Sequence, residues 1–240
     1  MQIRRFRIGV ISPTVFERIP IDFYSIAPPG VTMVGVTCNM GGWTSAEYRL
    51  ALKQVEDSAK YLGDRDVDYI IHVGAPLVVA QGFGFDRKII ARIKKVSGRP
   101  CTTTIRAAIS AFETLKVRKP IILTPFHNQL NGQLQGFLKR NGISVAELVV
   151  APSEFNFLQD VPAKTIYRTI VEAARTLPAF DSVYIPSGQL AAAEVVLSLE
   201  KKLGVPCIAQ GHSDFWAAFK NLKIHNIKPG HGQLLDTLRK

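Results

Sequence analysis

Proton transfer near neutral pH calls for a histidine, a carboxylate of shifted pKa, a thiol, or a hydroxyl with a base beside it. In this 240-residue chain, side chains of those types fall at expected strand ends at His72, Ser187, His212 and Asp214. His72 stands two residues before Gly74, and strand alternation directs both to one side. It is a candidate general base, with a satisfied core histidine as the competing reading. His212 and Asp214 could form an acid/base pair, but Asp214 reads better as the cap of the helix that carries Trp216. Cys38 ends an expected strand and is the cysteine nearest to these positions, whereas Cys101 and Cys207 begin equivalent strands and read as buried, inert thiols.

Other chemistries lack their spacing. Three scattered cysteines argue against a disulfide framework and for a reducing, cytoplasmic setting. No Cys-x-x-Cys or His-x-x-x-His occurs, so no metal is expected. Gly82-Phe-Gly84 lacks the third glycine and the Lys-Ser/Thr of a phosphate loop, so no cofactor is expected either. Gly41-Gly42 reads as a turn or as a lid over a cleft. The formal net charge is +11 with a pI near 9.7, which raises the prior for anionic partners. The basic clusters Arg92-Lys94-Lys95, Lys139-Arg140 and Lys201-Lys202 sit near expected helix C-termini, where cations complement the helix dipole. They read as solvated surface, and no nucleic-acid module accompanies them. No apolar run approaches the roughly 20 residues that span a bilayer, so no membrane partner is expected.

The elements that must position these residues alternate. Strands are predicted at 6–11, 32–37, 69–73, 121–123, 147–150, 182–185 and 207–209, mostly as continuous apolar runs that suit burial on both faces. Helices are predicted at 45–62, 86–96, 105–115, 128–141, 163–177, 191–203 and 214–221. Thr44 or Ser45 caps the first, and Gly142 and Gly204 follow two others as C′ glycines. This is an α/β pattern with mostly parallel sheets. It also repeats. Asp68-Tyr-Ile-Ile-His-Val-Gly74 lies over Asp181-Ser-Val-Tyr-Ile-Pro-Ser187, Gly98-Arg-Pro-Cys101 over Gly204-Val-Pro-Cys207, and Ala111-Phe112 over Ala218-Phe219. Two related lobes follow, one of residues 1–104 with 211–240 and one of 105–210. Ligands of such sheets bind beyond the carboxyl ends of the strands, so Gly74 and Ser187 are expected to face one cleft.

Several segments, in order along nearly the whole chain, resemble one family. They are Ile8-Gly-Val-Ile-Ser-Pro13, Val73-Gly-Ala-Pro-Leu77, Thr103-Thr-Ile-Arg-Ala-Ala108, Ile122-Leu-Thr-Pro-Phe126, Ser187-Gly-Gln-Leu190, Leu199 to Pro206, and Phe215-Trp216. The chain is similar to the arylmalonate decarboxylase and maleate isomerase branch of the aspartate/glutamate racemase superfamily. The resemblance implies two flavodoxin-like lobes, each a four-stranded parallel sheet, related by a pseudo-two-fold axis. It also implies cofactor-independent chemistry at a carbon beside a carboxylate.

The resemblance places catalytic cysteines at the positions of Gly74 and Ser187 in racemases and isomerases, and at the second alone in the decarboxylases. This chain has neither thiol. The hydroxyls that would hold a departing carboxylate are missing too, with Ala75, Pro76 and Phe126 in their places. Ala75 has no side-chain donor and Pro76 has no backbone N–H. Tyr48, Thr124 and Gly188 are retained, with the Gly188 N–H expected as a donor. Ser187 and His72 are the catalytic candidates, and Gln189 and Trp43 join the substrate-binding set. Trp43, Tyr48, Phe126, Phe155 and Phe157 suggest an apolar pocket, although core packing explains any single aromatic as well.

Three functions compete. The first is a cofactor-independent enzyme resembling arylmalonate decarboxylase, acting on a small-molecule carboxylate with an apolar or aromatic substituent. The second is a hydrolase, hydratase or other lyase that uses His72 or Asp214 in place of thiols. The third is a non-catalytic ligand-binding protein. The sequence leaves the substrate and the oligomer state open.

Overall fold

A computed structural model describes residues 6–151 and 153–239; the basic residues preceding Phe6 lie outside them. Two four-stranded sheets are formed, each wholly parallel. The first holds β1 (Phe6–Ser12), β2 (Val31–Thr37), β3 (Tyr69–His72) and β4 (Cys101–Thr103) in the order β2-β1-β3-β4. The second holds β5 (Pro120–Thr124), β6 (Glu147–Val150), β7 (Ser182–Ile185) and β8 (Cys207–Ala209) in the matching order β6-β5-β7-β8. The repeated segments become β3 and β7, which occupy the same place in each sheet. Their registers agree as well, because Ile70 pairs with Cys101 and Val183 with Cys207. Strand β4 begins at Cys101 as expected from its equivalence to Cys207, but its span was not predicted, since its three residues include two threonines and no apolar run.

The longest helix, α2 (Ser45–Asp64), is capped as expected, with Thr44 Oγ1 accepting the Glu47 N–H at 3.2 Å. The Glu47 carboxylate accepts the Gly41 N–H at 2.6 Å, which pins the segment read as a turn or as a lid. Helices α4 (Phe85–Ser97), α5 (Thr104–Leu115), α6 (Asn128–Arg140) and α7 (Ala163–Thr176) lie close to their predicted spans. Helix α8 (Val196–Leu203) starts five residues later than predicted, after a 3-10 turn at Ala193–Val195. A helix dipole acting directly on Ser187 is therefore not available. Helix α9 (Gln210–Leu222) starts four residues earlier than predicted. Asp214 consequently lies inside the helix and is not its cap. Three short helices went unpredicted: α1 (Ile19–Ile26) and α3 (Ala75–Val79), which carry proline in their first turn, and the four-residue α10 (Gln233–Asp236). No described helix is long and apolar enough to cross a membrane.

Helices α5 and α9 pack on each other, and α9 leaves the second sheet to pack on β3 and β4 of the first. Phe112 of α5 reaches Tyr184 of β7, with ring centroids 5.3 Å apart at 75°. Ile8, Ile71, Phe112, Tyr184, Ile208 and Trp216 thus belong to one buried cluster that spans both sheets. That shared core fixes the lobes' strand ends relative to one another.

Candidate active site between the lobes

Residues just past the carboxyl ends of β1, β3, β7 and β8 surround one cavity of about 420 Å³. The first lobe contributes Ser12, Pro13, Gly74 and Pro76, and the second contributes Phe126, Ser187, Gly188, Gln189 and Gln210. Trp43 and Phe155 complete an aromatic wall. The Trp43 ring meets Phe126 and Phe155 edge to face, with centroids 5.5 and 5.0 Å away. Among the described lining residues the single charged side chain is Glu17, and the others with polar side chains are serine, threonine, asparagine and glutamine.

Ser187 is 6% exposed and lines the cavity. Its hydroxyl makes no hydrogen bond to a described residue, so among the described residues no histidine or carboxylate is bonded to it as a base. Gly74 has φ of +97°, and a Cβ built there would lie 2.7 Å from Pro13 Cγ. Glycine is thus required at this turn, both for the dihedral and for the space.

Of the other expected site residues, Pro76, Phe126, Trp43, Gly188 and Gln189 line the cavity, whereas His72, Tyr48, Ala75 and Thr124 do not. His72 is sealed in β3 with neither ring nitrogen hydrogen-bonded, and burial pushes its pKa down to about 4. Tyr48 is 5% exposed, its hydroxyl is unpartnered, and burial raises its pKa to about 12. Ala75 is fully buried in α3. Thr124 donates to Asn131 Oδ1 at 2.7 Å and so organises the start of α6. Cys38 is buried and burial raises its pKa, while the next residues, Asn39 and Met40, reach the cavity instead. His212 is also buried with neither ring nitrogen hydrogen-bonded, and burial, with His231 beside it, lowers its pKa to about 3.

The main departure from the sequence reading is at Gly188. Its N–H, expected as a donor to a ligand, donates to Gln210 Oε1 at 2.9 Å. A parallel arrangement serves the other lobe: the Gly74 N–H donates to Thr104 Oγ1 at 3.2 Å, and Thr104 donates in turn to Asp214 Oδ2 at 3.0 Å. Thr104 and Gln210 each stand three residues beyond the equivalent Cys101 and Cys207. Sequence reasoning missed both, although extending the internal repeat by three residues marks them as equivalent. Burial raises the Asp214 pKa to about 8, against the opposing effects of Thr104 and the nearby Gln210 amide. That amide closes no hydrogen bond on Asp214 by distance and angle, since Oδ1 has no partner.

Comparison with known proteins agrees with the motifs. The model of the arylmalonate decarboxylase family matches residues 8–235. Arylmalonate decarboxylase from Bordetella bronchiseptica is 24% identical over 233 residues, covering 95% of this chain and 96% of the relative. Maleate isomerase from Pseudomonas putida is 22% identical over 246 residues, covering 96% and 97%. Among solved structures, a double mutant of arylmalonate decarboxylase in a liganded form matches with a TM-score of 0.90 at 23% identity, covering 97% of this chain and 99% of that one. The structural match establishes the shared two-lobed fold.

Proposed function

The chain belongs to the arylmalonate decarboxylase family, and from that premise we propose that the interlobe cavity is the active site of a cofactor-independent enzyme for a small carboxylate bearing an apolar or aromatic substituent. Its relatives are a decarboxylase and an isomerase, which makes lyase or isomerase the broad class. The observation that carries the reading is the placement of an unpartnered Ser187 hydroxyl on a cavity walled by Trp43, Phe126 and Phe155.

An apolar wall takes up an aryl group and strips water from a neighbouring carboxylate, whose charged form is costly to desolvate. Loss of carbon dioxide relieves that cost. The carbon–carbon bond breaks, its electron pair stays on the α-carbon, and a proton must then reach that carbon. Ser187 stands where the resemblance implies a thiol, so its Oγ–H is the group assigned to deliver that proton, with water restoring it afterwards. A hydroxyl is a weaker acid than a thiol, so slow turnover is expected. A hydrating or hydrolytic reading would need a base at Ser187, and neither His72 nor Asp214 lines the cavity.

The test is carbon dioxide release from phenylmalonate by the unaltered chain, Ser187→Ala and Ser187→Cys. Proton transfer by a positioned group contributes roughly 100-fold or more. Release should therefore rise from the alanine variant to the unaltered chain and again to the cysteine variant. Adding Pro76→Ser and Phe126→Tyr to Ser187→Cys should raise it further by supplying donors. Equal release from all of them would sink the assignment.

A further inference from the structure

The cavity has an aromatic wall and, among its described lining residues, no lysine, arginine or histidine. Whatever orients an oxygen of the ligand must therefore be a neutral donor. Gln210 is 4% exposed and lines the cavity. Its amide orientation is dictated by Gly188, because the N–H at 2.9 Å requires Oε1 as acceptor. Nε2 is then the donor end; it lies close to the Asp214 carboxyl but closes no hydrogen bond there by distance and angle. It lies 2.8 Å from where a Cβ on Gly188 would stand. Glycine at 188, which itself lines the cavity, is thus what leaves room for this amide. Asp214 lies behind Gln210 and is occupied at Oδ2 by Thr104.

We propose that Gln210 determines ligand specificity, with Nε2 donating to a carbonyl or carboxylate oxygen seated beside Ser187. The assignment rests on the reading of this cavity as the substrate site. Its chemical consequence is a preference set by hydrogen-bond acceptance and not by charge. A neutral donor serves an acid and its amide alike, and with no cation among the described lining residues the carboxylate gains little extra. Gln210 would in this way replace the hydroxyls absent at Ala75, Pro76 and Phe126. The other two glutamines of the lining are excluded from the role, because Gln189 Nε2 already donates to Val15 O at 2.7 Å and Thr14 Oγ1 at 3.2 Å, and Gln159 Nε2 donates to Asn156 O at 3.0 Å.

Calorimetric titration with phenylacetate, phenylacetamide and toluene tests this. The unaltered chain should bind the acid and the amide with affinities within several-fold of each other. Gln210→Glu keeps an oxygen for the Gly188 N–H and replaces only the donor. It should lose phenylacetate by roughly 10-fold or more while retaining phenylacetamide, as expected when a hydrogen bond to a charged group is removed. Gln210→Met should weaken both and leave toluene unchanged, which a general collapse of the cavity would not do. If the glutamate variant does not fold, the methionine variant carries the test alone. Binding of all three probes unchanged in the variants would overturn the role of Gln210 and leave the active-site reading standing, and so would loss of toluene together with the others. Failure of the unaltered chain to bind any probe would overturn the active-site reading itself, and the inference with it.

Discussion

Gly74 and Ser187 end equivalent strands, yet they are built on different backbones. Gly74 has a φ of +97° with Pro13 packed where a side chain would go. Ser187 has no positive φ, and it lines the cavity with a side chain in place. A missing thiol therefore means different things in the two lobes. In the second lobe the position accepts a side chain and holds one of almost cysteine's size. In the first, a side chain would meet the Pro13 ring and a positive φ, so geometry as well as composition disfavours two-base chemistry with a thiol from each lobe.

Breaking that asymmetry gives the largest expected effect. Gly74→Cys must adopt a positive φ, which costs about 1–3 kcal/mol, and must displace the rigid Pro13 ring, which costs about 1–3 kcal/mol more as overpacking. Ser187→Cys should change stability by less than about 1 kcal/mol, since it adds no carbon and breaks no hydrogen bond. Chemical denaturation of both variants checks the pair. Equal stabilities would show that the first-lobe turn is plastic and that its glycine is a matter of chemistry alone.

The same superposition aligns His72 with Ile185, and both side chains are buried. The isoleucine has no polar atom to satisfy, whereas the histidine carries two unpartnered nitrogens. His72→Ile should thus stabilise the chain, by about 1–3 kcal/mol if one orphaned polar group is relieved. It should also alter the pH dependence. The folded pKa near 4 lies below the ordinary 6.5, so between those values the unfolded chain binds the extra proton. Stability contributed at this position is full above about 6.5 and is lost as pH falls toward 4. Thermal melts of the variant should show less acid sensitivity in that window. Destabilisation at all pH values would mean that His72 has a partner worth keeping.

How much of this was legible in the sequence follows from the same residues. The repeat of 68–74 over 181–187 marked the equivalent strands, because buried parallel strands leave continuous apolar runs that single residues cannot disguise. Ser187 and Gly74 were placed near one cleft by the rule that ligands bind at strand carboxyl ends, and Trp43 and Phe126 by the family resemblance. What could not be read was the direction of each side chain around the ends. His72 follows the strand alternation yet is walled off from the cavity, and Tyr48 is swallowed by the core. The start of α9 was set four residues late because Gln210-Gly-His-Ser carries no apolar periodicity. That error hid Gln210 and turned Asp214 into a cap. It is a buried carboxyl that bonds Thr104, one helix away.

The smallest effect expected tests a difference that the superposition also exposes. Gln189 aligns with Pro76, and only the glutamine can donate. Its Nε2 holds Thr14 and Val15 of the segment joining β1 to α1, a first-lobe segment tied here by the second lobe. Pro76 returns no such tie. Removing it with Gln189→Met should cost no more than about 1 kcal/mol in global stability, because water can replace the amide at the exposed Val15 carbonyl. The nearby Arg18–Glu194 ion pair also spans the lobes, but Glu194 is half exposed, and such a pair adds little. The effect should instead be local. Backbone amides from Thr14 to Glu17 should exchange faster with deuterium in the variant, while those of β3 and β7 stay unchanged, since opening of a surface segment need not involve the core. Unchanged exchange in that segment would show that its position over the cavity is set by packing of Ile19 and Phe16, and that the one-way tie from Gln189 is incidental.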